Sequence, residues 1–314
     1  MTEFGFIDKI RELFATIPSN GFEGIGDDCA VLPIGGDEAL LFTSDALCEG
    51  VHFLRNATSA FEIGAKSATV NLSDIAAMGG RPIATLLSLS LPESAIGEWV
   101  EEFMQGYHSV SERYGVALVG GDTTGSDAGI TISVTAIGKA NIANIKRRSA
   151  AQVGDVVMVG GALGESAIGL RDILSGIHST TSAIAHRNPT AQIAEGEWLG
   201  SQQSVHAMMD ISDGFASDLQ HILDLSRVGA VIDTELIPAA NGEIESAVCG
   251  GEDYKLLFTV SAEGADALVE AFEQRFGYRP YPIGTITESD SHSIVWREHG
   301  KVVAHDNWHG FSHF

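Results

Sequence analysis

Apolar residues recur along the chain with both helical and strand-like spacing. The compact or alternating apolar runs predict strands at 39–44, 83–91, 116–119, 130–139, 155–159, 255–260, 283–286 and 294–297. The helical spacing predicts helices at 6–14, 60–78, 94–114, 165–174 and 265–276, and a further helix that begins at Ser212. Strands and helices alternate in both halves, so we expect two mixed α/β domains.

The composition changes across 141–154, where three consecutive basic residues occupy 146–148. A length of 314 residues suits two domains of ordinary size. We therefore place the domain boundary here, with an N-terminal domain at 1–145 and a C-terminal domain at 146–314.

The chain is strongly acidic, with 42 acidic against 18 basic residues and a formal net charge of −24. Such a charge repels nucleic acid and anionic membranes, so we expect neither as a partner. It also repels a nucleotide triphosphate, unless divalent cations lie between the phosphates and the carboxylates.

The three cysteines, Cys29, Cys48 and Cys249, fit neither a zinc motif nor a disulfide framework. Near the candidate motifs, burial as small apolar groups is the simplest role for Cys29 and Cys249. The N-terminus lacks the apolar segment of a signal peptide, and no run of 18 apolar residues is present. We expect a cytoplasmic protein.

Acidic residues recur where apolar segments meet glycine-rich or polar turns. The segments are Gly24–Asp28, Thr43–Asp45, Asn71–Asp74, Gly120–Thr124, Asp210–Gly214 and Gly250–Tyr254. Any one of them can be a structural turn, and Asp213 can simply favour a helix N-terminus. Ligands gather at strand ends in α/β sheets, however, and several converging carboxylates need cations. Oxygen ligands of this kind predict Mg²⁺.

Other candidates keep two interpretations. Gly160–Gly164 follows a strand and opens a helix, so it is either a tight turn or a phosphate cradle, although it lacks the P-loop pattern. Arg147 and Arg148 are either linker charges or phosphate ligands. His52 is either a plain loop residue or a substrate contact.

The motifs together resemble the thiamine-monophosphate kinase family, in order along nearly the whole chain. They are GIGDDCAV at 24–31, TSD at 43–45, GVHF at 50–53, AKSATVNLSDIAAMG at 65–79, VGGDTT at 119–124, DISDG at 210–214, GGEDY at 250–254 and NWHGF at 307–311. The resemblance implies phosphorylation of thiamine monophosphate to thiamine diphosphate with ATP as co-substrate. It implies direct transfer of the γ-phosphate, an N-terminal domain that dimerises across its sheet, and a C-terminal α/β domain.

The resemblance also implies roles for individual residues. The implied ligands of several Mg²⁺ ions are Asp28, Thr43, Ser44, Asp45, Asp74, Asp122, Asp210 and Asp213, among which Asp45, Asp74, Asp122 and Asp210 are key to the transfer. The implied ATP contacts are Gly121, Asp122, Arg148 and Ser212. The implied thiamine phosphate contacts are His52, Glu252 and Trp308. Two positions depart from the commoner family pattern: Thr43 replaces Ser, and Ala46 follows Asp45.

Such a substrate needs no strong general base, because a phosphate with a second pKa of about 6 is largely ionised near pH 7. The barrier is the approach of two polyanions, which Mg²⁺ and Arg148 would lower during in-line transfer. Trp308 is either an apolar plug or a stacking surface for the cationic substrate ring.

Related ATP-using enzymes remain alternatives, as does a non-catalytic nucleotide-binding homologue. Selenophosphate synthetase and a hydrogenase maturation factor carry terminal reactive cysteines that this chain lacks. Aminoimidazole-ribotide synthetase remains possible on architecture, although 250–254 and Trp308 favour the thiamine phosphate substrate.

Overall fold

The computed structural model describes residues 3–305 and 307–312, and it forms two mixed α/β halves. The N-terminal half contains α1 (Glu3–Phe14), β1 (Ala30–Gly35), β2 (Glu38–Cys48), α2 (Ala60–Ala77), β3 (Arg81–Leu91), α3 (Glu98–Tyr114), β4 (Ala117–Gly125) and β5 (Thr131–Asn141). The C-terminal half contains β6 (Val156–Val159), α4 (Glu165–Leu174), α5 (Thr181–Arg187), α6 (Ile193–Gly200), β7 (Val205–Asp210), α7 (Phe215–Ser226), β8 (Gly229–Asp233), α8 (Ile244–Cys249), β9 (Leu256–Val260), α9 (Ala265–Phe276), β10 (Tyr281–Thr287), β11 (Ile294–Glu298) and β12 (Lys301–Val303). The predicted α/β class is confirmed.

Each half is built on one sheet. The first sheet has the strand order β1-β2-β5-β3-β4, in which β3 and β4 are parallel and the other neighbours antiparallel. The second has the order β12-β11-β8-β10-β6-β9-β7, in which β8 and β11 are parallel and the other neighbours antiparallel. Mixed sheets of this kind are common among large α+β folds.

Helix α2 joins the two halves. It begins after Ser59, whose hydroxyl accepts the N–H of Glu62 while the Glu62 carboxylate accepts the N–H of Ser59. The helix packs on β2 and β5 of the first sheet and also on α6 and β7 of the C-terminal half. Most of its residues are therefore buried, including the polar Lys66 and Asn71.

Two predicted strand ends are wrong. Strand β2 continues past Asp45 to Cys48, because its ladder with β5 runs unbroken from Glu38 to Cys48. Strand β4 likewise continues through Asp122 to Gly125 beside β3. Apolar patterning underestimates both strands, because it records buried side chains and β4 is exposed throughout.

Several short elements were absent from the sequence-based prediction, namely β1, α5, α6, β7, β8, α8 and β12. Each is too short to show a clear apolar period. The helices predicted at 165–174 and 265–276 are confirmed with the same bounds. Across the described ranges, no helix is long and apolar enough to cross a membrane.

Candidate active site

Carboxylates from both halves meet at the junction. One oxygen each of Asp28, Asp74 and Asp210 lies within 4.8 Å of the others, close enough for one cation to contact all three. Asp28 precedes β1, Asp74 lies in α2, and Asp210 ends β7. The Ser73 hydroxyl of α2 donates a hydrogen bond to the Asp210 carboxylate, which fixes this meeting point.

Two further carboxylates extend this group of three: Asp45 interacts with Asp74 and Asp210, and Asp213 interacts with Asp45. Burial raises the pKa of Asp45 to about 6, and the charges of Asp213 and Asp28 contribute. Burial, and then the charge of Asp28, raise the pKa of Asp210 to about 7. Burial and the charges of Asp45, Asp210 and Asp28 raise the pKa of Asp74 well above its ordinary range. We call Asp28, Asp45, Asp74, Asp210 and Asp213 the acidic cluster.

The acidic cluster fits a hard divalent cation. Mutual repulsion between buried carboxylates destabilises the ionised form, and a cation would relieve it. The donors are oxygens, which suit Mg²⁺ or Mn²⁺. Two hydrogen bonds orient them: Thr43 Oγ1 donates to Asp74 Oδ2, and the Asp45 N–H donates to Asn71 Oδ1 at 3.0 Å.

The two faces of the first sheet separate Ser44 from its neighbours. Thr43 and Asp45 lie on the face that packs against α2, which we call the inner face. Side chains alternate along a strand, so Ser44 points to the opposite, outer face. There its hydroxyl accepts a hydrogen bond from Thr135 at 3.3 Å. A metal contact by Ser44 therefore stays a prediction.

Asp122 also lies on the outer face and is separate from the acidic cluster in a single chain. It is opposite Ser88, which in turn is opposite Ser133 on the outer side of β5. Its neighbour Gly121 has φ of 147°, and a Cβ there would lie 1.7 Å from the carbonyl oxygen of Leu87. Only glycine fits this approach. The metal and ATP roles of Asp122 and the ATP role of Gly121 stay predictions.

Arg148 lies beside the acidic cluster. Its guanidinium donates to Asp28 Oδ1 at 2.7 Å, and its backbone N–H donates to Asp27 at 2.8 Å. Burial alone would lower the pKa of Arg148, but the contact with Asp28 outweighs it and raises the pKa. Arg147 instead pairs with Glu23. Arg148 is therefore the better placed of the two arginines to meet a polyphosphate on the cluster.

His52 and Glu252 approach each other from the two halves. The Cys48 N–H donates to His52 Nδ1 at 2.9 Å, which leaves the proton of the neutral ring on Nε2. Burial would raise the pKa of Glu252, but the charge of Lys66 and the hydrogen bond from Lys66 hold it below its ordinary value, and His186 and His52 act in the same direction when they are protonated. Lys66 Nζ lies 2.7 Å from Glu252 Oε1. These contacts fix an ionised carboxylate near His52.

Trp308 packs on the C-terminal half. Its ring stacks on His305 with centroids 3.6 Å apart, and it meets the edge of Trp296 at 4.8 Å. It also borders the core cluster of the second sheet. Trp308 therefore packs on the core of the C-terminal half, and both the plug between domains and the stacking on a substrate stay predictions.

The glycine-rich turn at 160–164 already holds an internal anion. The N–H groups of Gly164 and Ser166 donate to the Asp253 carboxylate. Burial raises the pKa of Asp253 to about 6, against the effect of these two bonds. A carboxylate thus occupies the N-terminus of α4, and the tight-turn interpretation is the one that the structure supports.

Comparison with known proteins gives the family. The models for the AIR synthase related protein, N-terminal and C-terminal domains, match residues 26–140 and 152–297. The thiamine-monophosphate kinase of Buchnera aphidicola subsp. Acyrthosiphon pisum is 35% identical over 100% of this chain and 99% of that protein. The chain belongs to the thiamine-monophosphate kinase family.

Solved structures of this family have the same fold. AaThiL, complexed with AMPPCP and TMP, is 33% identical, with a TM-score of 0.84 over 100% of this chain and 97% of that one. The thiamine-monophosphate kinase of Stenotrophomonas maltophilia is 35% identical, with a TM-score of 0.77 over 96% and 98%. The family resemblance and the expectation of an enzyme are confirmed.

Sequence reasoning missed several residues of this candidate site. Lys66, Asn71 and Ser73 lie on α2, and each contacts a candidate residue or its backbone. Asp218 binds the loop that contains Ser212 and Asp213. One signal was available for α2, because a helix with so many buried polar residues needs partners for them.

The Lys66–Glu252 pair should contribute to stability. Lys66→Met leaves a largely buried carboxylate with less compensation, and we expect urea denaturation to give a free energy of unfolding lower by about 3 kcal/mol. This value is the low end of the range for breaking a buried ion pair, because 25% of the Glu252 side chain is exposed. Lys139→Met, which breaks an exposed pair with Glu38, is the matched control and should cost below about 1 kcal/mol. Equal losses in both variants would contradict this assignment.

Proposed function

We propose that this protein transfers the γ-phosphate of ATP to thiamine monophosphate and forms thiamine diphosphate. The observation that carries the proposal is the acidic cluster, to which both halves contribute, with Arg148 beside it. The complex of AaThiL with AMPPCP and TMP supports the same pair of ligands here. The cluster would hold several Mg²⁺ ions, which when bound would neutralise and align the phosphates of both substrates.

The chain's own residues would bind and orient the reactants. Arg148 would contact the triphosphate, and Ser212 and Gly121 would contact the nucleotide through polar atoms and close backbone approach. His52 and Glu252 would hold the thiamine phosphate. An acceptor phosphate oxygen would form a bond to the γ-phosphorus in line with the bond to ADP that breaks. No side chain needs to remove a proton, because that oxygen is already ionised near pH 7.

The decisive assay combines purified protein, ATP, Mg²⁺ and thiamine monophosphate, with chromatography to detect thiamine diphosphate. The expected result is product formation in a one-to-one ratio with ADP. A parallel reaction with the substrate of aminoimidazole-ribotide synthetase should give no turnover. ATP binding without ADP formation in the presence of thiamine monophosphate would instead identify a non-catalytic homologue.

Trp308→Ala should selectively weaken the binding of thiamine monophosphate. A desolvated cation–π contact is worth about 1–2 kcal/mol, so we expect the KM for thiamine monophosphate to rise by roughly 5- to 30-fold with the KM for ATP nearly unchanged. Trp198→Ala is the matched control, since Trp198 packs against Phe272 and Phe276. Both variants should melt at lower temperature. A lower melting temperature for Trp308→Ala with an unaltered KM would exclude the stacking role.

We also propose a homodimer across the outer face of the first sheet. The outer-face residues Ser44, Ala46 and Asp122 are exposed in the single chain. A two-fold axis along the central strand β5 would place β4 of one copy opposite the β1–β2 edge of the other. Asp122 of one copy would then approach the Ser44 side of its partner, which would reconcile the predicted roles of both residues.

Two other sequence-based expectations stand as proposals. The chain divides into domains at 1–145 and 146–314, consistent with sheets that span 30–141 and 156–303. Its location is the cytoplasm, consistent with three free cysteines.

A further inference from the structure

One loop joins every part of the candidate site in the C-terminal half. Residues 210–214, which we call the 210–214 loop, connect β7 to α7 and contain Asp210, Ser212 and Asp213. On one side the loop contributes the carboxylates of Asp210 and Asp213 to the acidic cluster. Its backbone is held from the other side by a residue that the sequence did not suggest.

That residue is Asp218, in the first turn of α7, which is only 1% exposed. Its Oδ2 accepts hydrogen bonds from three consecutive backbone N–H groups, those of Ser212, Asp213 and Gly214, at 3.1, 3.2 and 3.1 Å. Successive N–H groups that converge in this way usually form a concave site for an anion. Here an internal carboxylate fills the site, so three adjacent peptide groups are tied to one buried oxygen.

The carbonyl groups of the same loop hold the two candidate substrate segments. The Glu252 N–H donates to the carbonyl oxygen of Ser212 at 2.7 Å. The Phe311 N–H, three residues after Trp308, donates to the carbonyl oxygen of Asp213 at 2.9 Å. The position of the loop therefore sets the position of both segments.

We propose that Asp218 is a positioning residue for the reaction. It fixes the 210–214 loop so that Asp210 and Asp213 face the cation. The fixed loop also keeps its backbone hydrogen bonds to the segments that contain Glu252 and Trp308. This inference rests on the proposed function for its catalytic meaning. Asp218 is buried behind the loop, and it acts through the peptide groups that it binds. Its carboxylate also adds to the negative charge around Arg148.

Asp218→Asn tests the proposal with little change in volume. The amide keeps one acceptor oxygen but loses the charge, so its hold on three N–H groups weakens. Residues that orient metal ligands typically change metal affinity by about 10- to 100-fold. We expect the Mg²⁺ concentration for half-maximal activity to rise by about tenfold or more. The dissociation constant for Mn²⁺ alone, measured from the electron paramagnetic resonance signal of free Mn²⁺, should rise in parallel.

Asp155→Asn is the matched control for a purely structural role. Asp155 is 2% exposed in the same half, and it accepts hydrogen bonds from the Gln152 N–H and from His206. Both variants should lower the melting temperature, but Asp155→Asn should leave the Mn²⁺ dissociation constant within about twofold of wild type. If Asp218→Asn binds Mn²⁺ as wild type does, the proposal is overturned.

A second variant decides the matter should Asp218→Asn fail to fold. A Cβ at Gly310 would lie 2.5 Å from the carbonyl oxygen of Asp213. Gly310→Ala must therefore displace either the C-terminal tail, residues 307–312, or the 210–214 loop. If Asp218 fixes the loop, the tail moves: the KM for thiamine monophosphate rises several-fold while Mn²⁺ binding is unchanged. An equal weakening of Mn²⁺ binding would show that the tail, not Asp218, sets the loop.

These outcomes separate the inference from the proposed function. Absence of thiamine diphosphate formation by the wild-type protein would reject the function, while the Mn²⁺ measurements would still compare the variants. Normal turnover by the wild-type protein with unaltered Mn²⁺ binding by Asp218→Asn would reject only the positioning role.

Discussion

Removal of divalent cations should abolish phosphoryl transfer. The acidic cluster includes Asp45, Asp74 and Asp210, whose pKa values are raised by burial and by neighbouring carboxylates, and it would have to receive two polyanionic substrates. Bound metal supplies several kcal/mol of charge stabilisation in reactions of this kind, and each 1.36 kcal/mol is tenfold in rate. We expect excess chelator to lower the rate by at least about a hundredfold, and Mg²⁺ in excess of the chelator to restore it.

A second readout checks that the metal acts at this cluster. A cation that binds the folded state also stabilises it, by an amount that grows with the logarithm of the cation concentration once that concentration exceeds the dissociation constant. Mg²⁺ should therefore raise the melting temperature of the wild-type protein without nucleotide, and raise it much less in Asp74→Asn. Full activity in excess chelator would exclude the multi-magnesium mechanism.

The sequence was sufficient for the acidic cluster because its members belong to short local motifs. Asp28 precedes β1, Asp74 lies in the last turn of α2 and Asp210 ends β7, and the fold brings these positions together at the junction of the halves. Local sequence carries this information, since the residue types and their neighbours already specify oxygen ligands near backbone turns. The family of enzymes followed from the same motifs.

The sequence was less informative about which face of the sheet each strand residue points to. Thr43, Ser44 and Asp45 are consecutive, yet the hydroxyl of Ser44 points away from the other two side chains. Side chains alternate between the two faces of a strand, so Ser44 must point away from its two neighbours. This argument applies only if the whole segment is known to be a strand. The apolar pattern ended the strand at Ser44, so the alternation across Asp45 was not applied.

Long-range partners could not be read from sequence at all. Lys66 and Glu252 are 186 positions apart in the sequence, and Ser73 and Asp210 are 137 positions apart. The members of each pair are nevertheless in contact. Asp218 is closer to its loop, but a carboxylate in the first turn of a helix is favoured by the dipole whether or not it binds a loop. Tertiary packing alone distinguishes these possibilities.

The key carboxylates should each be required for turnover. Asp45→Asn, Asp74→Asn and Asp122→Asn change side-chain volume little, and each should lower turnover by at least about tenfold while the fold survives, as expected for loss of a charged metal ligand or its support. Circular dichroism and melting temperature establish folding. Asp37→Asn, an exposed aspartate before β2, is the matched control and should keep wild-type rates. Wild-type rates and Mg²⁺ dependence in all three variants would show that the site is placed wrongly.

Asp122 adds a test of the dimer, because it lies on the outer face and Asp74 lies in the acidic cluster. If Asp122 acts on the partner's site, each site of a dimer draws Asp74 from one copy and Asp122 from the other. Asp74→Asn and Asp122→Asn chains, unfolded and refolded together, then form mixed dimers in which one site keeps both aspartates. Random pairing makes half of the dimers mixed, so the mixture should recover about one quarter of the wild-type activity per site, whereas either variant alone stays low. If Asp122 serves the site of its own chain, every site in the mixture lacks one aspartate, and the mixture should be no more active than the average of the two variants.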